Sequence, residues 1–380
     1  MKKKIAFILP NLLAGGTQRV IINIANEINH NKYEIFLVVI NKLNAVYNNK
    51  DFNEKNFIDL VNKEKVNYIN LNKQGVKWSA FKLRKTLRQI KPDIVFSSLS
   101  YLNLYIAFIK PLLPSSIFYI ARESNTLSIK NHYLNAPKYL NRLYRIFYPK
   151  FDKIICQSND MYLDLADNFF IPKKNLLTIN NPIDVNKIES KANNPVNFDS
   201  NYKHIVCVGH MSYQKGHDLL LQALAKIEFE NWNCHFIGRD AGMKETIHLF
   251  LRKNPNISGK IFLHGFQSNP FSYMAKANLF VLASRFEGFP NVLLEAGVLG
   301  IPLVAFDNPG GMAEIIKNDK IGLLAKSNNS SDLAKKIDLA LKTKYNRNVI
   351  KESIISRYNT EVIISKYEAE FDSMMEKANF

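Results

Sequence analysis

Short apolar segments alternate with amphipathic segments along almost the whole chain, and this alternation constrains the fold more than any other feature. Each short apolar run is typical of a buried strand, and each segment with apolar residues three or four positions apart is typical of a helix. Strands alternating with helices predict a parallel sheet with helices on both faces, which binds ligands at the carboxyl ends of its strands. In the first half we predict strands at 5–10, 34–40, 92–99, 116–125 and 152–160, and helices at 17–28, 78–90 and from about 161.

A polar stretch rich in proline and asparagine, residues 180–203, interrupts this pattern, which then restarts. A chain of 380 residues is also too long for one typical hydrophobic core. We therefore predict an α/β protein of two Rossmann-like domains, residues 1–190 and 200–355, with a C-terminal helix at 356–380 that packs back on the first domain. In the second half, strands are predicted at 204–210, 233–240, 261–266, 277–284, 301–307 and 321–325, and helices at 218–227 and from 291.

The charge of the chain is one-sided. The net charge is +18, and residues 1–185 carry 27 Lys/Arg against 13 Asp/Glu, so most of the excess lies in the first half. Such a balance indicates a polyanionic partner: nucleic acid, an anionic membrane surface or a phosphorylated substrate. The segment 139–153, with Lys82, Arg84, Lys85 and Arg88, forms either a basic aromatic surface for anionic lipid or ordinary helices with solvated charges.

Cysteine content and hydropathy add two expectations. The three cysteines have no metal-binding spacing, and Cys156 and Cys207 lie in apolar runs, so we predict buried structural thiols. No apolar run approaches the ~18–20 residues that span a bilayer. We expect a cytoplasmic protein, either free or peripheral on the cytoplasmic face of the membrane.

The strongest motif is SRFEGFPNVLLEAGVLGIPLVAFDNPGG, residues 284–311. An apolar strand ends at Ser284, and a loop containing Glu287 and Gly288 opens a helix at about Asn291. Free amides and the positive end of a helix dipole form an anion site, and glycine lets a ligand approach the backbone. Glu287 in the loop and Glu295 on the helix then place two carboxylates where they can contact two parts of a single ligand. Carboxylates commonly bind ribose hydroxyls in nucleotide sites. The alternative is an ordinary loop with two solvated glutamates.

A second motif, VCVGHMSYQKGHDLLLQAL, covers residues 206–224. A strand runs into Gly209, and Lys215 and Gly216 precede a helix. A lysine beside glycine at such a turn suits phosphate binding, and His210 adds a donor. Taken alone the pattern fits a structural turn equally well.

Two further candidates lie in the first half. Gly15 and Gly16 separate the first strand from the first helix without forming a G-x-G-x-x-G fingerprint, and Arg19 in the first helical turn either reaches a phosphate or covers the surface. Arg122 and Glu123, in ARESN, follow an apolar strand at the end where ligands usually bind. We predict a role in catalysis for both.

In this order, the GG pair, the VG…KG element and EGFPNVLLEA resemble the retaining glycosyltransferases of the GT4 type, which have the GT-B fold. The family includes bacterial enzymes that extend O-antigen, capsule and lipid-linked oligosaccharides. The similarity covers essentially the whole chain, and the E-x7-E element from Glu287 to Glu295 is its most specific part. The resemblance implies two doubly wound parallel-sheet domains facing a central cleft.

The resemblance also implies roles for individual residues. Glu295 would bind the donor ribose, Lys215 the diphosphate, and Glu287 the donor sugar, with Glu287 also catalytic. Two departures stand out, because the family usually has arginine at His210 and histidine at the place of Glu123. The predicted donor-binding set is Gly15, Gly16, His210, Lys215, Gly265, Phe266, Glu287, Gly288, Phe289, Pro290, Asn291, Val292 and Glu295.

The implied activity is transfer of a hexose or N-acetylhexosamine from a nucleotide sugar, most simply UDP-linked, to a glycan hydroxyl with retention. The acceptor would be a polyprenyl-diphosphate-linked oligosaccharide, and Arg19 would meet the acceptor or a phosphate. With no D-x-D pair in the sequence we expect no cofactor and a metal-independent reaction. The competing hypotheses are a sugar-nucleotide epimerase, a phosphorylase, which would need a longer chain, and a basic nucleic-acid-binding protein, which lacks a recognisable module. We expect no nucleic-acid partner.

Overall fold

The computed structural model describes residues 2–12, 15–41 and 58–376. The chain forms two compact units, one of Met1–Pro182 with Thr360–Phe380 and one of Ile183–Asn359. The boundary after Pro182 lies inside the polar stretch 180–203, which interrupts the strand and helix pattern of the sequence. That stretch also contains a helix, Val185–Ala192, whose first turn is capped by the Asp184 side chain accepting from Lys187 N at 3.0 Å.

The first unit has a seven-stranded parallel sheet in the order β3-β2-β1-β4-β5-β6-β7. Its strands are β1 (Lys3–Leu9), β2 (Tyr33–Asn41), β3 (Val66–Lys73), β4 (Ile94–Ser98), β5 (Phe118–Arg122), β6 (Lys153–Cys156) and β7 (Leu176–Thr178). Its helices up to the boundary are α1 (Gly16–Glu27), α2 (Ala80–Ile90), α3 (Ser100–Ile109), α4 (Leu127–Tyr133), α5 (Lys138–Phe147) and α6 (Asn159–Leu163), which a π-helical turn, Asp164–Asn168, continues.

Apolar side chains on both faces place β1 in the centre of this sheet. Residues Ile5–Leu9 are fully buried, which is typical of a parallel strand covered by helices on both sides. On one face β1 meets α1, whose inward side carries Val20, Ile21 and Ile24. The strand order reverses between β1 and β4, so the carboxyl ends of these two strands border a topological switch point.

The second unit has a six-stranded parallel sheet in the order β10-β9-β8-β11-β12-β13, with its switch point between β8 and β11. Its strands are β8 (Lys203–Val208), β9 (Trp232–Ile237), β10 (Ile261–Gly265), β11 (Leu279–Leu282), β12 (Leu303–Phe306) and β13 (Gly322–Ala325). Its helices are α7 (Val185–Ala192), α8 (His217–Leu224), α9 (Lys244–Lys253), α10 (Pro255–Ser258), α11 (Phe271–Met274), α12 (Asn291–Val298), α13 (Met312–Ile315), α14 (Ser330–Lys342) and α15 (Arg347–Tyr358).

The last helix, α16 (Thr360–Glu376), belongs to the first unit. Tyr367 and Phe371 pack edge-on against Phe96 of β4, with ring centroids 5.9 and 6.1 Å apart. The Tyr33 hydroxyl donates to Asp372 at 2.5 Å. The residues just before Asn359, included in the predicted C-terminal helix, form the end of α15 in the second unit.

Several elements were not predicted. The strand β3 lies at a sheet edge, where its alternation of asparagine with apolar residues gives a weak strand signal. The helix α3 is apolar on most sides, so it lacks the polar face that marks an amphipathic helix. The predicted helix at 78–90 begins instead at Ala80, because Trp78 closes a 3-10 turn, Val76–Trp78. None of the helices within the described ranges is both long and apolar enough to cross a membrane.

Candidate functional site

Three adjacent strands of the second unit lead into glycines at their carboxyl ends, namely Gly209 after β8, Gly238 after β9 and Gly265 at the end of β10. The amide of Gly209 donates to Ile237 O at 2.9 Å, and the amide of Gly238 donates to Gly265 O at 2.8 Å. A Cβ on Gly238 would lie 1.9 Å from Gly209 O. The backbones of neighbouring strands therefore approach each other more closely than a side chain at Gly238 would allow. No side chains project from these three glycines at this edge of the sheet.

The loop after β8 ends in a turn that requires glycine. A 3-10 turn, Tyr213–Lys215, leads to Gly216, which has φ +62 and stands at the N-cap of α8. A Cβ at Gly216 would lie 2.0 Å from Ala283 O, so the turn is pressed against the end of β11. This contact directs Lys215 toward the loop that follows β11.

That following loop holds Glu287, which is 7% exposed. Its Oε1 accepts from Ser284 Oγ at 2.7 Å and from Lys215 Nζ at 2.5 Å. Gly310 lies behind it, where a Cβ would lie 2.6 Å from the backbone oxygen of Glu287. The structure thus brings together Lys215 and Glu287, which the sequence analysis assigned separately to the diphosphate and the donor sugar. At this switch point the Lys215 ammonium and the Glu287 carboxylate can each give up the bond between them and form a bond to a ligand instead.

A second ion pair, not predicted from the sequence, joins the same two loops. Arg285 donates to Asp218 through two bonds of 2.9 and 2.6 Å and to Tyr213 O at 2.6 Å, and its guanidinium lies 4.0 Å from the Tyr213 ring centroid. Burial opposes ionisation of Asp218, but the bonds from Arg285 outweigh it and lower the pKa of that carboxyl. Arg285 directly precedes the conspicuous glycine-proline loop, and this adjacency is the signal that could have found it.

The helix α12 starts at Asn291, with Pro290 in extended conformation at its N-cap. Asn291, Val292 and Glu295 are partly exposed, whereas Gly288 and Pro290 are buried. This end of α12 is the positive end of its helix dipole, which favours an anion.

Phe289 was predicted to bind the donor, and its side chain is buried instead. The ring is 5% exposed and packs on Tyr358 with centroids 5.5 Å apart. Phe289 therefore supports the loop with its side chain.

His210, Arg239 and Phe266 surround the glycine edge. Phe266 is 58% exposed, and the Arg239 guanidinium lies 5.5 Å from its ring centroid. Partial desolvation, followed by the positive charges of Arg239 and Lys215, lowers the pKa of His210, so its imidazole is neutral at pH 7. Arg239 was not predicted from the sequence, although it stands two residues after the end of β9, where parallel sheets bind ligands.

In the first unit, Gly16 is the first residue of α1 and Gly15 its N-cap. A Cβ on Gly15 would lie 2.5 Å from Gln18 Oε1, and Gln18 Nε2 donates to Asn11 Oδ1 at 3.3 Å, so Asn11 lies close to the helix start. The Arg19 side chain is exposed in the first turn. Donor binding by Gly15 and Gly16 and phosphate binding by Arg19 stay predictions.

Arg122 and Glu123, predicted as catalytic, are both fully buried in the first unit. Glu123 Oε1 accepts from Ser100 Oγ at 2.6 Å, and Oε2 accepts from the Tyr148 hydroxyl at 2.6 Å. Arg122 Nε donates to the Tyr367 hydroxyl at 3.2 Å. These positions do not favour direct contact with a substrate; both side chains instead hold the carboxyl end of β5 to the surrounding elements.

All three cysteines are free and buried, as predicted for Cys156 and Cys207, and burial raises the pKa of Cys207 to about 12. Among residues 2–12, 15–41 and 58–376, no group of three or more His, Cys, Asp or Glu side chains is arranged to hold a metal ion.

Two family models together cover most of the chain. Residues 14–187 match Glycosyltransferase Family 4, and residues 189–357 match Glycosyl transferases group 1. A solved structure of HepE from Anabaena, in complex with UDP-glucose, superposes with a TM-score of 0.76 over 97% of this chain and 99% of that one, at 17% identity.

Two relatives come from Campylobacter jejuni. The chain is 31% identical over 255 residues, covering 67% of this chain and 68% of the relative, to N-acetylgalactosamine-N,N'-diacetylbacillosaminyl-diphospho-undecaprenol 4-alpha-N-acetylgalactosaminyltransferase. It is 24% identical over 348 residues, 89% of each chain, to an alpha-1,4-N-acetyl-D-galactosaminyltransferase that acts on GalNAc-alpha-(1->4)-GalNAc-alpha-(1->3)-diNAcBac-PP-undecaprenol. With two Rossmann-like units and a family match across both, the chain belongs to the GT4-type glycosyltransferases of the GT-B fold.

Proposed function

We propose that this glycosyltransferase moves a hexose or N-acetylhexosamine from a UDP-sugar to a hydroxyl of a polyprenyl-diphosphate-linked oligosaccharide, with retention of configuration. The observation that carries the proposal is the buried Glu287 carboxylate, held by Ser284 and Lys215 just before the N-terminus of α12. The acceptor class rests on the Campylobacter jejuni relatives, both of which act on undecaprenol-linked glycans by name.

The charges of the second unit suit a nucleoside diphosphate. Without ligand, the Glu287 carboxylate neutralises Lys215 at 2.5 Å. A bound diphosphate would draw Lys215 to its own oxygens, with Arg239 and the positive N-terminal end of α12 as further stabilising groups. Glu287 would then accept hydroxyl groups of the donor sugar, and Glu295, partly exposed on α12, would accept those of the ribose.

The same donors support a reaction without a metal ion. As the bond to the anomeric carbon breaks, negative charge grows on the leaving diphosphate and positive charge on the sugar ring. Fixed cations and helix amides stabilise that diphosphate without reorganisation. Activity should therefore persist in EDTA; activity that is lost in EDTA and restored by Mg²⁺ or Mn²⁺ would contradict metal independence.

Retention rests on the family resemblance. The expected product keeps the anomeric configuration of the donor sugar, and nuclear magnetic resonance of the purified product determines it. An inverted product would refute this part and leave the donor assignment standing.

The first experiment measures thermal stability against UDP-, GDP-, ADP- and dTDP-sugars. A ligand that binds only the folded state at ~100 times its Kd adds about 2.7 kcal/mol of stability, which gives a clear shift in Tm. We expect a shift with UDP-sugars that Glu295→Ala weakens. Glu245→Ala, which removes an exposed carboxylate from α9 of the same unit, is the matched control and should leave the shift unchanged.

Other outcomes separate the alternatives. A Tm shift with the sugar of another nucleotide would replace UDP as the proposed donor nucleotide and leave the enzyme class unchanged. Conversion of the sugar nucleotide to an isomer without added acceptor would indicate an epimerase. If no donor shifts Tm, alone or with a lipid-linked acceptor present, the donor-binding proposal fails.

We further propose that the first unit docks on an anionic membrane at the cytoplasmic face. Residues 73–150 carry 14 Lys/Arg and two acids, Asp93 and the buried Glu123. At the start of α2, Phe81 is 84% and Trp78 64% exposed, with Lys77 and Lys82 beside them. Exposed aromatic side chains among cations are typical of a surface that inserts into lipid headgroups.

Further along this stretch, α5 shows the same combination. Tyr139 is 64% and Ile146 51% exposed, and Arg142 and Arg145 lie between them on the exposed part of the helix. Basic side chains near an anionic leaflet contribute about 1 kcal/mol each, and that attraction is screened by salt.

Co-sedimentation with vesicles of phosphatidylglycerol and of phosphatidylcholine tests the docking. Binding should need the anionic lipid and fall with salt, and Phe81→Ser should weaken it about tenfold, because burying a phenylalanine is worth roughly 1.5–3 kcal/mol. The matched control is Leu339→Ser, which removes an exposed apolar side chain from α14 in the second unit. Equal binding to both lipids, or equal binding of both variants, would contradict it.

A further inference from the structure

Three histidines form a continuous hydrogen-bonded line across neighbouring strands of the second unit, His204 on β8, His235 on β9 and His264 on β10. His204 Nδ1 lies 2.9 Å from His235 Nε2, and His235 Nδ1 lies 2.9 Å from His264 Nε2. At the far end His204 Nε2 lies 2.8 Å from the backbone oxygen of Asp199. We call these three residues the histidine line.

The backbone oxygen at one end determines the direction of every bond. Because a carbonyl only accepts, His204 Nε2 carries a hydrogen, and in the neutral ring its Nδ1 is an acceptor. His235 therefore donates from Nε2 to His204 and accepts at Nδ1. His264 must in turn donate from Nε2 to His235.

Two members of the line are enclosed. His204 and His235 are 4% and 5% exposed, and the Phe198 ring stacks on both with centroids 4.3 Å away. Burial, followed by the charges of His264 and His204, lowers the pKa of His235 to about 3, and burial lowers the pKa of His264. A buried network of this kind stabilises one conformation only while each member keeps its partner.

His264 is the extra residue of a β-bulge. Leu263 pairs with Phe236 and Gly265 pairs with Ile237, so one more residue stands on β10 than on β9 between these pairs. A bulged residue has no ladder partner of its own. The bond from the His264 side chain to the neighbouring strand replaces the missing ladder bond.

A second bond fixes the main chain of the bulge, because Gln267 Nε2 donates to His264 O at 2.9 Å. Beyond it, Gly265 has φ +64, its carbonyl accepts from Gly238 N at 2.8 Å, and Phe266 stands exposed beside Arg239. The bulge therefore determines the backbone position of Gly265 and Phe266 at the end of β10.

We propose that the histidine line positions the donor nucleotide: His264, anchored through His235 and His204, holds the bulge in the conformation in which Gly265 and Phe266, both in the predicted donor-binding set, meet that nucleotide. This inference rests on the proposed donor function of the second unit. The three histidines act through Gly265 and Phe266 and are therefore positioning residues, and their loss should raise the donor KM and leave kcat nearly unchanged.

Two substitutions at one position test the line. In His264→Gln the side-chain amide can still donate to His235, whereas His264→Leu removes the donor and leaves His235 Nδ1 without one. We expect the Kd for UDP, measured by titration calorimetry without acceptor, to rise about tenfold in His264→Leu and less than twofold in His264→Gln. In turnover, the donor KM of the leucine variant should rise by a similar factor at unchanged kcat.

A third variant acts one step further from the ligand. His235→Phe keeps a flat ring between Phe198 and Phe262, which stack on His235 from the neighbouring segments, and removes both hydrogen bonds. It should resemble His264→Leu in UDP affinity. If this variant does not fold, the two His264 variants still decide the question.

The outcomes distinguish the two proposals. If the unsubstituted protein binds neither UDP, GDP nor ADP, the proposed donor function fails. If it binds UDP and His264→Leu binds equally well, the positioning role is overturned, even where the variant has a lower Tm. Equal weakening in His264→Gln and His264→Leu would also overturn it, because the effect would then not follow the hydrogen bond.

Discussion

Lowering the pH from 7 to 5 should destabilise the second unit, and the share of one buried imidazole, His217, can be measured by itself. This first residue of α8 is fully buried, its Nε2 lies 3.8 Å from Cys207 Sγ, and its ring meets Phe236 edge-on. Within the described part of the chain, His217 Nδ1 has no hydrogen-bond partner. Burial, aided by the charge of Lys215 and opposed by that of Asp218, lowers the pKa of His217 to about 4.

The sign and size of the effect follow from proton linkage. The unfolded chain binds a proton at His217 near pH 6.5, and the folded chain does not bind it until about pH 4. The group therefore contributes most to stability above pH 6.5, and this contribution falls as the pH drops toward 4. With these two values, the loss between pH 7 and pH 5 is about 2 kcal/mol.

Urea unfolding of the protein and of His217→Gln at both pH values measures this loss. Trp232, which is 1% exposed in β9, provides a fluorescence signal from the second unit, whereas the other tryptophan, Trp78, is exposed in the first. Other titrating groups cancel in the difference between the two proteins. That difference in free energy of unfolding should change by about 2 kcal/mol between pH 7 and pH 5 in favour of the variant. A difference that stays constant within ~0.5 kcal/mol would refute the reasoning.

Three further predictions concern contacts that the structure reveals. Gly238→Ala should abolish UDP binding, because its Cβ would lie 1.9 Å from the backbone oxygen of Gly209. Gly242→Ala is the control, because no atom lies within 4 Å of its Cβ position. This variant should bind UDP normally and lose only about 1–2 kcal/mol of stability, since its φ is +94. Arg285→Lys, which cannot form the paired bonds to its carboxylate partner, should raise the donor Kd about tenfold, with Arg252→Lys on the exposed side of α9 as the unaffected control. Tyr367→Phe should lower the free energy of unfolding of the first unit by about 2 kcal/mol in urea, because it removes a partner from a buried guanidinium; an unchanged value would contradict that role.

The fold was predictable to the extent that each strand carries its own signal. Central strands such as β1, β8 and β11 are continuous apolar runs, since helices cover both of their faces, and all three were predicted. Edge strands are covered less completely and tolerate polar residues, so β3 could not be distinguished from a loop. The three-residue β7, Leu176–Thr178, is too short for any periodicity to appear.

The site was predictable as separate pieces but not as an arrangement. The lysine of the β8 loop and the glutamate of the β11 loop were both identified, yet they are 72 positions apart in sequence. Their bond depends on β8 and β11 lying side by side at the switch point, which is a property of the strand order. The pairing of Arg285 with Asp218 has the same origin, and neither residue is distinctive alone.

Glu123 shows why the position of a polar residue at a strand end is insufficient to predict catalysis. Parallel sheets bind ligands at that edge, but the same edge also collects hydroxyl groups and amides from the loops and helices that follow the strands. Here Ser100 and Tyr148 each donate a hydrogen bond to the carboxylate, and the amide of Ser124 donates a third at 2.7 Å. Three donors are enough to keep a carboxylate in the interior. The sequence specifies the polar residue, but only the packing decides what that residue contacts. For Glu123 the contacts are hydrogen bonds from other residues of the protein.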